Sequence, residues 1–70
     1  MTVKEVREAA KEKGLDVNIQ YEDFWYIQDI TGFWYVPSEF GWVEKENFFD
    51  NFEVTEMCEY DGYIDVSVDE

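Results

Sequence analysis

Val3, Val6, Ala9 and Ala10 recur at helical spacing through an otherwise charged stretch, which predicts an amphipathic helix over residues 3–13. Thr2 and Glu5 have the form of a capping box at its start. Lys11 and Lys13 fall in the last turn, where the helix dipole favours cations, and Gly14 is placed to end it. The apolar stripe is thin, two Val and two Ala, so the helix is expected to lie over a sheet with larger side chains.

From Asp16 the period changes to two. Val17, Ile19 and Tyr21 alternate with Asn18, Gln20 and Glu22, the pattern of a half-buried strand. In Phe24–Ile30 both faces carry large groups, Trp25 and Ile27 on one and Phe24, Tyr26 and Ile30 on the other, which predicts a central strand. A two-residue Thr31-Gly32 turn would pair Ile30 with Phe33, Asp29 with Trp34 and Ile27 with Val36, and Pro37 would end the third strand. Residues 38–43 read as a turn and a short strand. Phe48, Phe49 and Phe52 fit either one turn of a short helix near 46–52 or a loop pinned by aromatic plugs. Tyr60-Asp61-Gly62-Tyr63 is a strong hairpin signal between two alternating runs. A two-residue loop there pairs Met57 with Val66, Thr55 with Val68 and Glu59 with Ile64, and leaves Glu56, Cys58, Tyr60, Tyr63, Asp65 and Ser67 on the other face. The expectation is a single α+β domain over residues 1–70, with an N-terminal helix on a strongly bent antiparallel sheet of four to five strands that fills residues 16–70.

Composition explains how so short a chain builds a core. A 70-residue domain buries only about 60% of the surface its unfolded chain exposes. Three Trp, five Tyr and six Phe compensate, since one ring buries roughly 150–250 Å². Trp25, Trp34, Phe33, Phe48 and Phe52 are the expected core rings. The aromatic and β-branched content also separates the chain from disordered acidic sequences.

Charge narrows the function. The net charge is −13, and residues 14–70 hold fifteen acids against one base, Lys45. No His occurs and Cys58 is the lone cysteine, so the sequence contains neither a Cys-His or Ser-His pair nor a zinc-ligand cluster. Acid pairs such as Glu22/Asp23 need a cleft that perturbs them, so no enzymatic activity is expected. The glycines are isolated, which excludes a phosphate loop, the EF-hand pattern is absent, and no cofactor is implied. Direct nucleic-acid binding has the wrong sign of charge, and anionic membranes would repel the chain. A lone cysteine without a signal-like or membrane-spanning apolar run reads as a cytoplasmic protein.

The remaining use of the charge is recognition. Duplex DNA carries one negative charge per about 1.7 Å of axis, so fourteen charges match roughly 24 Å of duplex. In size, acidity and lack of catalytic groups the chain resembles the small acidic inhibitors that phages and mobile elements direct against nucleic-acid enzymes: DNA-mimic, anti-restriction, anti-CRISPR and glycosylase-inhibitor proteins. That resemblance implies stoichiometric binding to a basic, nucleic-acid-binding protein. The candidate partner-binding residues are Glu39, Glu44, Glu46, Asp50, Glu53, Glu56, Glu59, Asp61 and Asp65. Separately, Gly32-Phe33-Trp34-Tyr35-Val36 and Gly41-Trp42-Val43 resemble the Gly-Trp-Val strand ends of bacterial SH3-like barrels. That likeness implies a protein-interaction module with an aromatic peptide groove lined by Trp34, Tyr35 and Trp42.

Overall fold

A computed structural model gives the fold and describes residues 1–28, 32–37, 39, 41–42 and 46–69. The helix α1 spans Val3–Lys13. The strands are β1 (Asp16–Tyr21), β2 (Phe24–Gln28), β3 (Trp34–Val36), β4 (Gly41–Trp42), β5 (Glu53–Tyr60) and β6 (Tyr63–Asp69).

The helix begins where Thr2 closes a capping box with Glu5 and ends at Gly14, whose φ of 70° is the left-handed conformation glycine adopts without strain. Val3, Val6 and Ala10 are its buried residues, whereas Ala9 faces solvent. Two of the N–H groups that every helix start leaves without partners are taken up from outside: Val3 N–H donates to the carbonyl of Phe52 at 3.0 Å and Lys4 N–H to that of Asp50 at 3.1 Å.

The sheet differs from the expected one. It has six strands rather than four to five, in the order β4-β3-β2-β1-β6-β5, and it is mixed rather than antiparallel because β1 and β6 run parallel. Alternation in the sequence marks which residues share a face but not which strand lies alongside or in which direction. Here the parallel register sets Val17 beside Ile64 and Ile19 beside Val66, which unites the apolar rows of both strands under the helix.

The β2–β3 register is one residue from the expected one. Ile27 pairs with Tyr35 rather than Val36, and Gln28 with Trp34, while Asp29, Ile30 and Thr31 lie outside the described residues. A one-residue slip exchanges the faces. The observed register carries Trp34 and Val36 to the buried side and leaves Tyr35 on the other. In the terminal hairpin Met57–Val66 and Glu59–Ile64 pair as expected, but Val68 pairs with Val54 in place of Thr55. A β-bulge between Val54 and Glu56 absorbs Thr55, whose hydroxyl donates to the carbonyl of Ser67. The bulge keeps Val54 on the apolar side, packed against the core.

Residues 46–51 form turns, not a short helix, so the loop pinned by aromatic plugs is the arrangement found. Its position follows from the strand order. β4 and β5 sit at opposite edges, so the chain between Trp42 and Glu53 must cross a sheet that strand spacing makes roughly 24 Å wide. Its described part, residues 46–52, lies on the helix side and inserts Phe49, which is fully buried and meets Tyr21, Tyr26, Trp34, Phe48 and Phe52 at centroid distances of 4.9–5.7 Å. Of the expected core rings, Trp34 is fully buried and Phe52 packs against the core, whereas Trp25, Phe33 and Phe48 are exposed. The indole N–H of Trp34 finds no acceptor among the described residues.

Candidate docking face

One side of the sheet is covered by α1 and the Phe49 turn; the other has no covering element among the described residues. Strand register maps this open face residue by residue, because directly paired residues point to the same side. One row runs across all six strands: Trp42, Tyr35, Ile27, Asn18, Asp65 and Cys58. Beside it lies Trp25, Gln20, Ser67 and Glu56, and beyond the first row Asp16, Tyr63 and Tyr60. Two side-chain contacts fix the alignment: Asn18 Nδ2 donates to Asp65 Oδ1 at 3.1 Å and the Ser67 hydroxyl to Gln20 Oε1 at 3.4 Å.

The face changes character across its width. Under β2, β3 and β4 it is aromatic. Trp42 is 61% and Trp25 44% exposed, and Tyr35 packs on Trp42 with ring centroids 5.2 Å apart. Under β1, β6 and β5 it is polar and acidic, with Asp16, Asp65 and Glu56. Glu53 and Asp69 stand opposite each other on the same side beyond the bulge. Near the hairpin turn Tyr60 and Tyr63 stack at 4.9 Å. The Tyr60 phenol is raised above its ordinary value, first by a hydrogen bond with Cys58 and that group's charge, and further by Asp65 and Tyr63.

No strand contains a lysine or arginine. The described basic side chains, Lys4, Arg7, Lys11 and Lys13, all belong to α1, on the covered side of the sheet. They also neutralise acids there. Arg7 donates to Asp50 through Nε at 3.1 Å and Nη2 at 2.8 Å, a bidentate pair largely shielded from water, and Lys13 Nζ meets Glu59 Oε1 at 3.0 Å.

These positions sort the candidate acids. Glu53, Glu56 and Asp65 share the open face of the β5–β6 hairpin, and Asp61 sits in its turn. Glu53 also meets the amino group of Met1 at 3.2 Å. Glu59 points to the covered side, toward Lys13, and Asp50 is held under the helix by Arg7, so both are engaged within the fold. Glu39 and Glu46 are exposed in turns of the other half, and Glu44 lies outside the described residues. Of the aromatic groove, Tyr35 and Trp42 come together, but Trp34 is fully buried on the opposite face and cannot line it. Asp16 and Asp69 belong to the open face without having been singled out, and Trp25, expected in the core, lies there too; its alternation with Tyr26 held the signal.

An open cleft near one end of the sheet is lined by residues of both charges, among them Arg7, Lys11, Asp16 and Glu46. Among the described residues no group of three or more His, Cys, Asp or Glu is placed to hold a metal ion, and no helix is long and apolar enough to cross a membrane. No protein-family model, curated protein or solved structure matches this chain.

Proposed function

We propose that this protein is a non-enzymatic acidic binder that inhibits a nucleic-acid-handling protein by occupying its basic surface, in the manner of phage counter-defence mimics of DNA or RNA. The observation that carries this reading is the separation of charge: the four described basic side chains sit on the helix, while the open face of the sheet holds Asp16, Glu53, Glu56, Asp65 and Asp69 with no basic side chain from any strand, the Met1 amino group at Glu53 being the one cation beside them among the described residues. Such a face attracts a basic partner and speeds its approach by electrostatic steering. At 27 × 24 × 19 Å the body is close in length to the stretch of duplex carrying the same charge, roughly 22 Å for a net −13.

The test is capture on the immobilised protein from a nuclease-treated bacterial extract, followed by challenge with duplex DNA. The expected result is retention of one nucleic-acid enzyme, its displacement by DNA and by salt, and loss of capture by the Glu53→Lys/Glu56→Lys/Asp65→Lys variant. Capture insensitive to salt and to charge reversal would remove the mimic reading.

A second reading is a general protein-interaction module that engages a peptide through its aromatic side, favoured by the exposure of Trp25 and Trp42. Its groove is Trp25, Tyr35 and Trp42, with Trp25 in the place expected for Trp34. Under it Trp42→Ala weakens binding more than any single charge reversal does.

A further inference from the structure

We propose that the open face is selective for arginine: it takes an extended, arginine-rich segment of the partner protein, laid across the strands from the aromatic side to the acidic side. This rests on the reading of the protein as an acidic binder and names the chemistry that its face recognises.

Three observations converge. The face is an uncovered sheet surface that exposes Trp25 and Trp42 under β2 and β4, with Tyr35 packed against Trp42, and the stacked Tyr60 and Tyr63 near the hairpin turn. The same surface continues without interruption into Asp65 and Glu56, through the rows that register defines. No strand offers a cation to occupy the aromatic rings from within. A guanidinium meets both halves of such a surface: its flat face stacks on indole and phenol rings, and its edge forks onto carboxylates. An ammonium is a compact, strongly hydrated charge and gains mainly from the acids. Charge complementarity therefore sets the sign of the occupant, and the aromatic half sets its identity. A second copy of this chain is disfavoured on the same ground, since its matching face is equally acidic.

Dimensions fit one short segment. From Trp42 on β4 to Asp65 on β6 is four strand spacings, roughly 19 Å. An extended chain rising about 3.3 Å per residue covers that distance in about six residues, and alternate side chains point to one side, so three arginines reach the face.

Nona-arginine and nona-lysine peptides provide the probe, titrated at 0.15 M salt against the full chain and followed by the indole N–H resonances. Trp25 and Trp42 report on the face, and Trp34, buried on the other side, is the internal control. Two or three ring contacts at exposed sites predict about 5- to 10-fold tighter binding of nona-arginine, with shifts at Trp25 and Trp42 and none at Trp34. Trp25→Ala/Trp42→Ala brings the ratio of the two peptides to about one, while Glu56→Lys/Asp65→Lys weakens both alike. Equal binding of the two peptides by the unaltered protein, or a ratio unchanged in the tryptophan variant, overturns the arginine proposal and leaves the acidic-binder reading standing. Binding of neither peptide removes both. A neutral proline-rich peptide that binds as tightly as nona-arginine, or concentration-dependent dimerisation that blocks the tryptophan shifts, assigns the face to a different occupant and overturns the proposal.

Discussion

The two faces of this sheet are made from the same strands and have opposite fates. On the covered face Val17, Ile19, Ile64 and Val66 meet Val3, Val6 and Ala10 of the helix, and Phe49 closes the remaining area against Trp34 and Tyr26. On the open face Trp25 and Trp42 are left to solvent beside a field of acids. Both rings stay outside the core, so they add little to the burial that stabilises a chain of 70 residues. The contrast shows that aromatic residues here have two fates: on one face they build the core, and on the other they stay at the surface, where the proposed recognition takes place.

The sharpest way to break this division is to damage the covered face alone. Phe49→Ala removes the ring at the centre of five aromatic contacts and is expected to cost about 3–5 kcal/mol. Against a total of roughly 4–10 kcal/mol for a domain of this length, that leaves a marginal fold, measured by urea unfolding under circular dichroism. Arg7→Ala strips Asp50 of its bidentate partner and loosens the turn that supplies carbonyls to the helix start. The expected cost is about 1.5–3 kcal/mol by the same assay.

Thr2→Ala removes one side of the capping box and should cost about 1 kcal/mol. Hydrogen bonds from the Thr2 backbone and side chain hold the Glu5 carboxyl below its ordinary value. A lowered folded value favours the charged form, so this contribution is present above the ordinary glutamate range and is lost as pH falls through the lowered value. In Thr2→Ala, the Glu5 titration followed by NMR should move back up toward the ordinary value. The smallest effect on stability belongs to the open face: Trp42→Ala should change it by no more than about 0.5 kcal/mol while it reduces the proposed preference for arginine. A large loss of stability from Trp42→Ala would show that this ring is part of the core and would collapse the distinction between the faces.

How much of this could be read in the residues depends on which interaction decides each feature. The helix was legible because its cap, stripe and terminating glycine are local in sequence. So was the pairing near the Asp61-Gly62 turn, where Tyr60 meets Tyr63. The β2–β3 register was not, because burial of Trp34 against a distant Phe49 outweighs the two-residue turn that Thr31-Gly32 suggests. Phe48 and Phe49 are adjacent and chemically identical, and only the path of the chain across the sheet decides that Phe49 is buried while Phe48 is exposed. The acids were countable from the outset, but their pairing was not: Asp50 and Glu59 find Arg7 and Lys13 across 43 and 46 residues of chain.

The parallel contact of β1 with β6 joins residues as far apart as Asn18 and Asp65. The meander β1–β4 and the hairpin β5–β6 are each built from neighbouring segments, but the apolar row under the helix is completed only when β6 arrives. β6 follows β1 by more than forty residues of chain, so Ile19 stays half-partnered until the hairpin docks. Closure over so long a loop is slow compared with forming a hairpin. The rate of folding should therefore be set by docking of the terminal hairpin, with Ile64 and Val66 as the residues whose truncation slows it most.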